Sequence, residues 1–219
     1  MLAAASAYQV RDPQCRPVDT RTWRGNFPGA CGGGWQLGPL VVTPAEVASG
    51  KIRHALHFYS ANTMDRPKVR EDPMTAVAPA RQVEGGDRVA DEVRARQVPE
   101  GARFSIDMTD AEISTWLDQR NLTDGRLRET VCIILVALRE YRWFLGDSSP
   151  YAAHWVFDTS PLARARWQQL GVPSGPASTQ LLAGLPFDRI RVWAPPTATL
   201  ADGTTTTGYG WATDLEYRP

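Results

Sequence analysis

The sequence has no surplus of either charge: 24 Lys and Arg stand against 24 Asp and Glu, and there are only 3 histidines. Without a cationic excess there is no long-range pull toward phosphate backbones or anionic lipid, so neither nucleic acid nor a membrane surface is expected as a partner. The arginine cluster Arg88, Arg94 and Arg96 is interleaved with Asp87, Asp91 and Glu92, which cancel much of its field. Long apolar runs are missing as well. The longest, Val131 to Leu138, has eight residues, against the ~20 that span a bilayer. Met1 to Ala7 has the small-residue character of a signal-peptide cleavage region but neither a basic nor an apolar segment ahead of it. The expectation is that export is not encoded here or that a leader is lacking.

Cysteine is scarce, with 3 in the chain. Cys15 and Cys31 bracket a loop rich in Gly, Pro and Arg, and in an oxidising compartment a bond between them would stabilise it by ~3 kcal/mol. Two unpaired thiols are the alternative. Cys132 lies inside the apolar run and reads as a small buried filler. No pair has CxxC spacing, so no zinc site is expected, and no cofactor is implied. The Walker A pattern, GxGxxG after a strand, HExxH and GxSxG are all absent, which removes the phosphate, dinucleotide, zinc-protease and serine-hydrolase readings.

What is present reads as ordinary globular material, 42% apolar and 22% charged over 219 residues. That length can enclose a continuous core without metal or disulfide staples, and one domain over 1–219 is expected. The first forty residues, with four prolines and Gly32-Gly33-Gly34, form a loop-rich segment. A helix then begins at a capping box, Thr43 with Glu46, with Pro44 in its first position and Gly50 just past its end. From Lys51 to Ser60 the period is two, with Ile52, His54, Leu56 and Phe58 toward the core and His57 and Tyr59 on the reverse.

Three prolines make 62–86 a long loop interrupted by a short strand, Thr75 to Ala78. A strand from Ala102 to Met108 leads to a second capping box, Thr109 with Glu112, and a helix to about Asn121. Arg126 to Tyr141 is apolar all round in its middle, as a covered central helix should be. Tyr141 to Leu145, His154 to Asp158 and Asp188 to Trp193 read as strands, and Leu162 to Leu170 as a helix entered from Ser160. Residues 201–219 read as a hairpin or an arm, opened by Asp202-Gly203. Together these elements imply an α+β fold: a mainly antiparallel, sandwich-like sheet packed with a buried central helix and two or three short helices.

Two segments carry a resemblance. Leu37-Gly38-Pro39-Leu40 followed by Glu46-Val47 and then Gly50-Lys51-Ile52-Arg53-His54-Ala55-Leu56-His57-Phe58 resembles a "GL, EV, G-I-HAL-F" pattern in a group of exported bacterial proteins, many of them actinobacterial. Ala137-Leu138-Arg139-Glu140-Tyr141, then Gly146-Asp147 and His154-Trp155, resembles the same group's "AL-K-YG, aDng, w" segment. Arg142 stands where that group has Gly after Tyr. The resemblance implies an extracellular setting and a shared fold, with no activity to carry over.

The candidate catalytic residues are His54, His57, Asp147 and His154. His54 is placed on the core face, where a histidine usually bonds backbone or a carboxylate; His57 points the other way beside Tyr59; His154 adjoins Trp155. Asp147, in Gly-Asp-Ser-Ser, reads as a turn-former or a cleft residue. Asp147 and Asp158 would suit a glycosidase if held ~5 to 9 Å apart. Alternatively His57 with Tyr59, or His154 with Tyr151, would move a proton as polysaccharide lyases do. The chain has 8 tryptophans. Trp116, Trp143, Trp155 and Trp193 are read as core, whereas glycine-flanked Trp23, Trp35 and Trp211 are candidates for stacking on sugar rings. These features lead to the expectation of an extracellular domain that binds, and in one version cleaves, a polysaccharide or cell-surface glycan. The competing expectation is a structural part of a phage tail, virion or other assembly, docking on a neighbour or on a second copy through its C-terminal arm.

Overall fold

The computed structural model describes residues 38–60, 63, 77, 80, 97–148, 154–174, 181–193, 198–199 and 205–206. The Cys15–Cys31 pair, Trp23, Trp35, Trp211, Tyr151, the arginine cluster at 88–96 and nearly all of the two terminal segments lie outside them.

Helix α1, Pro44–Ala48, starts as its sequence dictates. The Thr43 hydroxyl accepts from the Glu46 amide, and the Glu46 carboxylate accepts from the Thr43 amide at 3.0 Å. Strand β1, Leu56–Ser60, and strand β2, Arg103–Ile106, follow. Helix α2, Asp110–Gln119, opens with the second capping box, Thr109 with Glu112. The central helix α3, Gly125–Glu140, is capped by the Asp124 side chain. Strands β3, Trp143–Ser148, and β4, His154–Trp155, precede helix α4, Pro161–Gln169, which is capped by Ser160. Strand β5, Ile190–Trp193, and a two-stranded ribbon, β6 Ala198–Thr199 with β7 Thr205–Thr206, complete the described elements. The ribbon is antiparallel, pairing Ala198 with Thr206.

Helix ends single out one residue. After α1, α2 and α4 the chain turns left-handed at Gly50, Asn121 and Gly171, with φ of +80°, +51° and +80°. These are the residue types that tolerate the turn. After α3 the same turn is made by Arg142, at φ +76°, where a long side chain costs about 1 to 2 kcal/mol relative to the right-handed region.

Among the described residues the fold is α+β: one open five-stranded sheet in the order β4-β1-β3-β2-β5, with four α-helices. The expected sandwich differs from what is seen, since no second sheet packs face to face on this one among the described residues. The sheet is also mixed. Three of its pairings are antiparallel, but the central pair, β1 with β3, is parallel. Strand β1 is shorter than the period-two run suggested. Residues 51–55 are irregular, and only from Leu56 does the chain join the ladder.

Alternation gives the sheet two different faces. Leu56, Phe58, Phe104, Ile106, Trp143 and Trp155 lie in or against the main core. There they meet α3, whose residues Thr130 to Arg139 include none that is exposed. Ile134, Leu135 and Leu138 are wholly buried, each contributing about 1.5 to 3 kcal/mol by leaving water. The ring of Trp143 stacks on Phe104 at 5.7 Å and meets Trp155 edge-on at 5.2 Å. Helix α4 is tied in where the Thr130 hydroxyl donates to the Leu170 carbonyl at 2.9 Å. The opposite face carries His57, Tyr59, Arg103, Ser105 and Phe144 by the same alternation, and with it the chemistry. No helix among the described residues is long and apolar enough to cross a membrane.

Candidate functional site

Register brings together side chains that are far apart in sequence. Tyr59 on β1 pairs with His154 on β4 and with Asp147 on β3, so all three share a level on the polar face. The rings of Tyr59 and His154 stack at 4.8 Å with 25° between planes, and His57 lies 4.9 Å from Tyr59 on the other side. A bulge between Phe58 and Tyr59 sets this level: Phe58 pairs with Leu145, whereas Tyr59 skips Gly146 to pair with Asp147. Without that slip Tyr59 would face a glycine.

Within the cluster accessibility is graded. His57 is 0% exposed, whereas Tyr59, His154 and Asp147 are half-buried. Burial pushes the His57 imidazole down from 6.5 to about 3, with the neighbouring His154 adding to the effect. It therefore stays neutral at ordinary pH. Glu100, also 0% exposed, lies nearby on the chain that enters β2, where the Gly101 amide donates to the Leu145 carbonyl at 2.7 Å.

Three of the four candidate residues thus converge: His57, Asp147 and His154. His54 does not join them. Its Nε2 sits 2.9 Å from Glu46 Oε1 and its Nδ1 2.8 Å from the Ala55 carbonyl, so it braces the start of α1. The expected inward His54 and outward His57 are exchanged, because residues 51–55 leave the ladder and because the reverse face of β1 is itself covered. Asp147 lies within β3, not in a turn. Asp158 accepts from the Ser160 amide at 2.9 Å and stands four residues beyond His154.

Of the tryptophans read as core, Trp143 is enclosed, but Trp193 is 43% exposed at the sheet edge. Cys132 is half-buried and unpaired; burial raises its thiol above the usual range and keeps it protonated. Among the described residues no three His, Cys, Asp or Glu side chains are grouped as a metal would need.

No family model, curated protein or solved structure matches the chain. Two further residues of the polar face, Arg103 and Arg142, belong to no motif that marks them as a site. Arg103 follows Phe144 across the sheet in register, its guanidinium 5.5 Å from that ring. Arg142 lays its guanidinium 3.3 Å over the ring of Trp193. The available signal was Arg142 itself, standing at a helix end where glycine is the rule.

Proposed function

We propose that this protein binds a polysaccharide carrying uronate sugars and cleaves it by β-elimination, with Tyr59 and His154 as the proton-transferring pair. The observation that carries the reading is the Tyr59–His154 stack, half-open to solvent, with the neutral His57 behind it and Asp147 beside it. In such a reaction a base removes the proton from C5, next to the carboxylate. The C5–H electron pair forms the C4=C5 double bond, the C4–O bond breaks, and the departing oxygen takes a proton from an acid. A phenol and an imidazole in contact supply both partners, and His57 serves as a positioning residue because burial denies it a role as acid. The likeness of Leu37 to Phe58 to exported proteins supports an extracellular setting.

The test is a panel of uronate polysaccharides, read by the ultraviolet absorbance of the new double bond. Wild-type protein should raise it, while Tyr59→Phe and His154→Ala should not. No absorbance with any member of the panel, and no retention on a glycan array, would remove the proposal.

A second reading, an assembly component, is favoured by one observation. Edge strand β5 leaves Val192 66% and Trp193 43% exposed, with Phe187 82% exposed just before it. The last strand of the sheet among the described residues, with apolar side chains exposed, is a template for strand addition. Light scattering tests it, because a monomer at every concentration removes self-assembly.

A further inference from the structure

We propose that Arg103 and Arg142 form an anion-binding subsite on the polar face of the sheet, shaped for the carboxylate of a sugar acid; the sugar-acid part rests on the function proposed above.

Each guanidinium lies over an aromatic face, Arg103 over Phe144 and Arg142 over Trp193, and the charge of Arg142 is felt at Arg103. Phe144 and Trp193 are the two residues that flank Arg103 in register on β3 and β5. The Trp193 ring is in turn anchored, its Nε1 donating to the Ser105 hydroxyl at 2.8 Å. Neither arginine has an ion-pair partner among the described residues, although most of their basic neighbours do: Arg126, Arg128, Arg139, Arg189 and Arg191 each reach a carboxylate. The Nε of Arg103 is buried and meets no acceptor. Burial and then the charge of Arg142 both press the Arg103 guanidinium below its usual range. An arginine does not deprotonate in a protein, so this discomfort is relieved by an anion instead.

Backbone conformation adds an independent argument. Arg142 occupies a left-handed position that Gly50, Asn121 and Gly171 fill after the other helices. Strain of this sort tends to persist where a side chain has work to perform. Here the left-handed turn carries the guanidinium onto Trp193 and within electrostatic reach of Arg103. Two strand spacings, about 10 Å, separate Arg103 from His57. The subsite thus lies along the sheet from the Tyr59–His154 pair and would hold a neighbouring unit of the same chain.

The experiment is a titration of the protein with sodium glucuronate, sodium sulfate and glucose at constant ionic strength, followed by NMR of the arginine Nε–Hε resonances. Arg142→Gly is the informative variant, because glycine suits the backbone there and the fold is retained. Saturable shifts of the Arg103 and Arg142 signals with glucuronate and none with glucose are expected. In Arg142→Gly the affinity should fall about tenfold or more, as loss of a charge-assisted contact requires. Shifts with sulfate alone would keep the anion site and overturn its assignment to a sugar carboxylate. No saturable shift, or equal binding by Arg142→Gly, would overturn the site itself. Glucuronate binding without cleavage of any polysaccharide would leave the subsite standing and remove the lyase function; cleavage with unaltered binding in Arg142→Gly would do the reverse.

Discussion

Acid should weaken this fold through one side chain, His57. The imidazole is wholly enclosed, and its folded-state pKa lies at about 3 against 6.5 for an exposed histidine. Below pH 6.5 the unfolded chain takes up a proton that the native state refuses, so stability declines as pH falls and levels off only near pH 3. Each pH unit within this window is worth about 1.4 kcal/mol. The complete loss is therefore about 5 kcal/mol, and roughly 2 to 3 kcal/mol of it is gone by about pH 4.5, a large part of the 5 to 15 kcal/mol that holds a typical domain together. The assay is urea denaturation at several pH values on wild type and on His57→Phe, which keeps a flat ring but cannot be protonated. Carboxylates contribute equally to both proteins, so the difference between the curves reports His57 together with its coupling to His154. Wild type should lose about 2 to 3 kcal/mol more than the variant between neutral pH and about pH 4.5. Parallel curves would refute the reasoning, as would an NMR titration placing His57 near its ordinary value.

Four further outcomes are expected from denaturation of single variants. Arg142→Gly removes a left-handed strain of about 1 to 2 kcal/mol and a cation–ring contact worth about 0.5 to 1; the variant should be equal to wild type or up to about 1.5 kcal/mol more stable. Gly101→Ala should cost about 3 kcal/mol or more, because φ there is +87° and a Cβ would strike the Val77 carbonyl. Gly50→Ala, at φ +80° with open space around it, is the control and should lose only about 1 kcal/mol. Glu46→Ala removes the acceptor for the Thr43 amide and hydroxyl and the partner of His54, with an expected loss of about 1 to 2 kcal/mol.

Where a signal is carried by neighbours in the chain, the sequence was readable. Thr43 with Glu46, Thr109 with Glu112, and Ser160 each mark a helix entry, the last of them one residue ahead of the expected Leu162, because a cap is made by side chains within three residues of the amides they satisfy. The apolar girdle of α3 likewise announced a covered helix. The sheet was less legible. Period two separates one side of a strand from the other but not a strand covered on one side from one covered on both, and β1 is of the second kind, with Leu56 and His57 adjacent and both buried. That ambiguity exchanged the parts of His54 and His57. The convergence of Tyr59, His154 and Asp147 depends on a parallel pairing and a one-residue bulge, neither of which leaves a mark on local composition. Arg103 was hidden for the same reason, since its partners Phe144 and Trp193 come from two other strands.

The parallel pairing of β1 and β3 also dictates when the molecule can assemble. Leu56 to Ser60 must wait for Trp143 to Ser148, and everything from residue 61 to residue 142 is synthesised in between. Helices α2 and α3 can coil within microseconds of emerging, but the ladder at the heart of the sheet must close a long loop first, which makes folding slower than that of a helical bundle. During that interval the apolar edge of β1 is uncovered, and a nascent chain stalled before Trp143 would be a natural client for chaperones.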